Sequence, residues 1–146
     1  MLLATESWDD AALTALIAGA NLLGSALKAG LYTNPGFIPN KQIVLADMIE
    51  PTYASYVRQA VVMGPIFRDP QNGIASIAES LVWQETGVFT AEIIQGVFYT
   101  YGAGPLLLGV DPFPNPIPFT DLLSAFSTIL EYVESNNVQG FTTVLQ

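Results

Sequence analysis

Four prolines fall at alternate positions, Pro112, Pro114, Pro116 and Pro118, and that spacing constrains the fold before anything else does. Each ring locks φ at about −65° and each lacks an N–H, so the segment can run only extended, at a sheet edge or as polyproline. From Ser25 onward the rest of the chain shares this texture of apolar runs separated by Gly, Pro and Asn. Leu27, Ala29 and Leu31 alternate with Lys28, Gly30 and Tyr32, the period of a strand with one buried face. Val57 to Ile66 reads as the next strand, with Val57, Val61 and Met63 on one side and Arg58, Ala60 and Val62 on the other. The turn signal Asp69-Pro70-Gln71-Asn72-Gly73 then joins it in a hairpin to a strand within Ile74 to Trp83. Glu92 to Tyr101 is the most β-prone stretch, apolar on both faces, and is predicted to be a central strand. Gly102-Ala103-Gly104-Pro105 turns the chain into Leu106 to Val110.

Helix is expected in one place. Ser7 can cap a run in which Asp9 and Asp10 favour the positive end of the helix dipole, and Leu13, Leu16, Ile17 and Ala20 form one apolar face, so a short helix is predicted over about 8–20. Asp47 to Tyr56 reads as a loop or a single helical turn. Asp121 to Tyr132 satisfies a 3.6 period through Leu122, Leu123, Phe126, Ile129 and Leu130, which leaves a helix open, but its position favours the closing strand of a sheet. Residues 1–132 are thus predicted to form one antiparallel β-sandwich domain. Residues 133–146, with a polar hinge at Asn136, Asn137 and Gly140, read as a C-terminal extension whose residues 138–146 lock adjacent copies, or copy to shell, by strand addition.

Composition limits what such a domain can do. Of 146 residues, 51% are hydrophobic and 12% charged, about half the charged share of an ordinary soluble domain. Much of the outer surface is therefore expected to be covered by other protein, in a homo-oligomer. A net charge of −9, with Lys28, Lys41, Arg58 and Arg68 as the cations, argues against nucleic acid and against anionic membrane surfaces. No apolar run approaches the roughly 18 residues of a spanning helix. The N-terminus lacks the basic and long apolar regions of a signal peptide, so synthesis in the cytoplasm without export is expected.

The chain contains no histidine and no cysteine, which removes His-based triads, thiol nucleophiles, disulfides and ordinary zinc, copper or haem sites. No cofactor is expected. The carboxylate pairs Asp9/Asp10, Asp47/Glu50, Glu79/Glu85 and Glu131/Glu134 are the remaining catalytic option, and nothing in the sequence makes any of them converge. Asp69 to Gly73 lacks the alternating acids of a calcium loop, and Gly102-Ala103-Gly104 lacks the third glycine and the helix of a nucleotide loop. Trp83, Phe98, Tyr99 and Tyr101 sit at strand spacing and read as core. Trp8, Tyr53 and Tyr56, outside the strands, are the aromatics expected to reach a partner, joined by Phe141, Val144 and Leu145 of the tail.

The order of landmarks resembles small virion proteins of tailed bacteriophages. The matching features are the short N-terminal helix, LKAGLYTN (Leu27 to Asn34), LADMIEPTYASYVRQAV (Leu45 to Val61), LVWQETG (Leu81 to Gly87), VFYTYGAGPLLLG (Val97 to Gly109) and the proline run before a last long strand. Together they cover roughly residues 8–132. The resemblance implies a jelly-roll-like antiparallel β-sandwich that acts without catalysis on the outer capsid surface of the virion. Such a capsid decoration or cement protein binds the major capsid protein or other virion proteins, and is expected here as a trimer. The alternative in the same group is a head or tail appendage module that binds a carbohydrate or host receptor.

Overall fold

The computed structural model describes residues 3–4, 27–64, 67–69, 73–86, 91–102, 105–120, 124–134 and 139–146. The predicted helix over 8–20, Trp8 and the Asp9/Asp10 pair lie outside the described residues. Among the described residues ten strands follow in order: β1 (Leu3–Ala4), β2 (Leu27–Tyr32), β3 (Gln59–Ala60), β4 (Phe67–Asp69), β5 (Gly73–Ile77), β6 (Leu81–Gln84), β7 (Glu92–Tyr101), β8 (Leu106–Phe119), β9 (Ala125–Glu134) and β10 (Gln139–Leu145). The described helix is a single 3-10 turn, Leu45–Asp47. Every strand pair is antiparallel. Sheet 1 has the order β1-β8-β7-β2-β3. Sheet 2 has the order β10-β9-β5-β4, with β6 beside β9 at Ala125 to Thr128 and β5 beside it at Glu131 to Glu134. No described helix is long and apolar enough to cross a membrane.

One apolar cluster draws on both sheets. Leu27, Ala29, Leu31, Val97, Tyr99 and Leu108 from sheet 1 share it with Trp83, Phe126, Leu130, Tyr132 and Phe141 from sheet 2. Rings run through it in edge and tilted contacts, from Tyr53 to Phe119 to Phe126 to Phe113, with centroids 5.4 to 5.6 Å apart. Burying each such side chain contributes roughly 1.5–3 kcal/mol. Trp83 satisfies its indole N–H inside the cluster by donating to Thr128 Oγ1 at 2.9 Å.

β2 departs from the expectation of one buried face, because Gly30 and Tyr32 are buried as well and only Lys28 is exposed. The opposite face of sheet 1 carries its own cluster, in which Tyr32, Phe98, Leu107 and Val110 meet Ile43 and Met48 from the connection between β2 and β3. That connection is a cover for the sheet. Asn34 pins it by donating to Asp47 O and accepting from the Ile49 N–H. Phe37 packs edge-on against Tyr32, centroids 5.7 Å apart.

β7 is central, flanked by β8 and β2. The proline run is the second half of β8 and pairs with β7 along one edge, with a register break between Ile94 and Gly96. Pro118 lies opposite Ile93 and has no N–H to donate across the pair. Val57 to Ile66 is not one strand. It gives β3 to sheet 1, then crosses to sheet 2, where Met63 bridges Ala78 and the Gly64 N–H donates to Ile77 O at 2.8 Å. A Cβ at Gly64 would lie 2.5 Å from that carbonyl oxygen, so the crossing needs glycine. The antiparallel pair at the Asp69 to Gly73 turn signal uses Phe67 to Asp69 with Gly73 to Ala75, so its first strand lies beyond Val57 to Ile66 rather than within it. The last long apolar run is strand, not helix, over Ala125–Glu134.

The C-terminal residues correct the expectation of a separate arm. β10 pairs with β9 of its own chain from Gln139 opposite Glu134 to Leu145 opposite Thr128. Phe141 is buried against Tyr132, centroids 4.9 Å apart. The edge and the ring pocket that the tail was expected to find on a neighbour are supplied by the same subunit.

Candidate functional site

The carboxylates come first, since they are the chain's remaining polar chemistry. Asp47 accepts from the Val44 N–H at 2.9 Å and shapes the 3-10 turn, while Glu50 accepts from Arg58 Nε. The Asp47/Glu50 pair is therefore split between two structural tasks. Glu92 accepts from the Thr52 N–H and hydroxyl with one oxygen and from the Tyr53 N–H with the other, tying the β2–β3 connection to the start of β7. Glu79 is exposed and Glu85 fully buried, so that pair does not share an environment. Glu131 is half-buried on β9. Among the described residues no three carboxylates gather to hold a metal ion.

The aromatic candidates are likewise engaged inside the fold. Tyr53 is 4% exposed and packs on Tyr56 and Phe119. Tyr56 stacks on Trp83, and its hydroxyl accepts from the Leu31 N–H at 3.0 Å. Tyr53 and Phe141 are therefore corrections, because neither offers its ring to a partner. Val144 is half-buried on β10 and Leu145 is exposed. Trp83, Phe98 and Tyr99 are core, as the strand spacing implies.

Burial raises the phenol pKa values of Tyr32, Tyr53, Tyr56 and Tyr99 well above the usual tyrosine value. Asp111 adds to the shift at Tyr32 and Tyr99, Glu92 and Glu85 at Tyr53, and Glu50 at Tyr56. Thr143 opposes it at Tyr99, and the Leu31 N–H with Arg58 opposes it at Tyr56. These phenols stay neutral in the folded protein. Tyr32 Oη is buried with no hydrogen-bond partner among the described residues.

Side chains also close the two seams between the sheets. At one seam the buried Asp111 of β8 accepts from the Thr143 N–H of β10 at 3.0 Å, and Tyr99 Oη lies 2.7 Å from Thr143 Oγ1. At the other, Gln59 donates to Val82 O and Ser55 donates to Gln84 O, occupying edge acceptors of β6. Such contacts replace backbone pairing and discourage addition of a foreign strand.

What remains for a partner is aliphatic. Ile38, Val44, Ile49 and Val57 are exposed on the β2–β3 connection, with Ile38 at 82%, while Ile77 and Val82 are exposed on sheet 2. Sequence reasoning passed over them in favour of aromatics. For Ile77 and Val82 the signal was an apolar residue at the outward position of a strand, Ile77 beside buried Ala78 and Val82 beside buried Trp83; the four on the connection had none.

Comparison of the chain with protein-family models, with characterised proteins and with solved structures finds no match.

Proposed function

We propose that this protein is a non-enzymatic structural subunit of a virion, a capsid decoration or cement protein of a tailed bacteriophage that binds the outer shell and stabilises it. It is made in the host cytoplasm and works as a jelly-roll-like β-sandwich assembled with copies of itself, as a trimer about a symmetry axis. The observation that carries this reading is a division of labour among side chains. Asp47, Glu50, Glu92 and Asp111 accept hydrogen bonds from the chain itself, whereas large aliphatic side chains stand exposed. Exposed aliphatic groups favour broad contact with other protein over recognition of a polar substrate.

The test is binding of the purified protein to phage heads. Co-sedimentation should saturate at a fixed number of copies per head and raise the temperature at which the heads rupture. Heads that bind none, together with a measurable affinity for a glycan, would replace this reading with the appendage alternative.

A further inference from the structure

The connection between β2 and β3 contains a loop closed at its own neck. The Thr33 N–H donates to Ile49 O at 2.8 Å, and the Asn34 side chain spans the same neck, donating to Asp47 O and accepting from the Ile49 N–H. Between these ends several amides are satisfied inside the loop. The Ile43 N–H donates to Asn40 O, the Val44 N–H to the Asp47 carboxylate, the Asp47 N–H to Val44 O and the Met48 N–H to Leu45 O. Apolar side chains seat the loop on sheet 1. Ile43 and Met48 are buried in one cluster with Tyr32, Phe98, Leu107 and Val110, whereas their chain neighbours Val44 and Ile49 are exposed, so the cover is thin there.

We infer that Asn34 to Ile49 is a flap that lifts off sheet 1 as a unit while the two sheets stay folded. The neck bonds and the amide bonds inside the loop travel with it, so lifting breaks none of them. What it loses is the apolar contact of Ile43 and Met48, with Phe37 and Leu45 packed beside them, a small share of the apolar surface that the fold buries. The chain beyond the flap is anchored separately. Arg58 donates to Glu50, Glu92 accepts from the Thr52 and Tyr53 amides, and Tyr53 belongs to the cluster shared by both sheets. Sheet 1 also keeps a cover of its own, since Arg58 stands over Phe98. Lifting turns Ile43 and Met48 out to join exposed Ile38, Val44 and Ile49, so the open and closed states differ in the apolar surface they present. The motion does not depend on what the protein binds.

Two methionines test it in the unaltered protein. Met48 lies on the underside of the flap and Met63 in the shared core, each 8% exposed, so a motionless fold protects both alike. Peroxide oxidises a reachable thioether to the sulfoxide, and peptide mass spectrometry reads each position separately. In native buffer Met48 should oxidise roughly tenfold faster than Met63 or more, because lifting the flap is a smaller excursion than opening the core. Urea below the unfolding transition should leave the Met48 rate nearly constant, since lifting exposes little surface, and should raise that of Met63, which waits for unfolding. Amide exchange separates lifting from local melting. The Asp47 and Met48 amides keep their partners in a lifted flap, so their exchange should report an opening constant several-fold smaller than the Met48 thioether does. The inference is overturned by a smaller difference between the two methionines, by a Met48 rate that climbs with urea in step with that of Met63, or by amide exchange and oxidation that report the same opening.

Discussion

Phe98 lies across Gly30, its directly opposed partner on β2, so closely that a Cβ at position 30 would fall 2.4 Å from the ring. The next pair on the same face of these two strands reverses the roles, with Tyr32 across Gly96. Glycine in a strand is normally a weakness, but here it lets a ring lie flat over the opposing backbone. Arg58 then covers Phe98 from above, 5.4 Å from the ring centroid.

Replacing either glycine should overpack this face. Gly30→Ala and Gly96→Ala are expected to cost roughly 1–3 kcal/mol each in urea unfolding. Gly96→Ala should be the costlier, since its Cβ would meet the Asp111 carbonyl oxygen at 2.5 Å, a backbone atom with little freedom to move. In a Phe98→Leu background the penalty of Gly30→Ala should shrink; an undiminished penalty would show that the ring is not the obstacle.

Tyr32→Phe should be neutral or stabilising. The hydroxyl it removes is buried without a partner among the described residues, and losing such a group relieves a desolvation cost of about 1–3 kcal/mol. A drop in melting temperature would reveal a hydrogen bond that the geometry does not show.

Asp111 joins the sheets through the Thr143 N–H, and bonds to a charged group contribute about 1.5–3 kcal/mol. Asp111→Ala should destabilise by that order and speed hydrogen exchange at the Thr143 amide. Asp111→Asn, which retains a carbonyl acceptor, should recover part of the loss. Equal stability of all three proteins would remove Asp111 from the seam.

High pH should unfold the protein through its tyrosines. In the unfolded chain phenols ionise near pH 10, whereas Tyr32, Tyr53, Tyr56 and Tyr99 are raised above that when folded. Their contribution is fully present below about pH 10 and is lost as pH rises toward the folded values, because the unfolded state then binds fewer protons. The tyrosinate absorbance of these four should appear together with loss of the β-sheet dichroism. Ionisation well before unfolding would mean that the rings are reachable by hydroxide.

Val97 is 0% exposed in the middle of sheet 1. Val97→Asp places an unpaired charge there and should abolish folding; a folded variant by circular dichroism would move that strand to the periphery.

The strands were readable where a run had a clear period and a clear stop, as at Leu27–Tyr32 and Glu92–Tyr101. Their neighbours across the sheets were not, because pairing such as β1 with β8 joins residues far apart in the chain. Tyr53 was misread as a contact residue because it lies outside every strand. It is buried in the cluster shared by both sheets, against Phe119, and no periodicity in Asp47 to Tyr56 marks that. The apolar second face of β7 pointed to a different cover, to which Ile43 and Met48 belong and against which Phe37 and Leu45 pack. Phe141 was misread for a related reason. A lone short strand needs an edge, and sequence alone does not tell whose edge it uses.

The strand order also sets a timetable for synthesis. Leu27 of β2 pairs opposite Tyr101, and Leu3 of β1 opposite Val110. Both N-terminal strands therefore leave the ribosome long before β7 and β8 exist. At roughly 5–20 residues per second this interval lasts on the order of seconds, far longer than a hairpin takes to form once both strands are free. Until then β2 has at most the two residues of β3 to pair with, and Leu31 and Tyr32 have no strand opposite them. The rate of translation, rather than the rate of pairing, thus decides how long the nascent chain is open to premature association, and slowing the ribosome between codons 33 and 101 should lower the soluble yield.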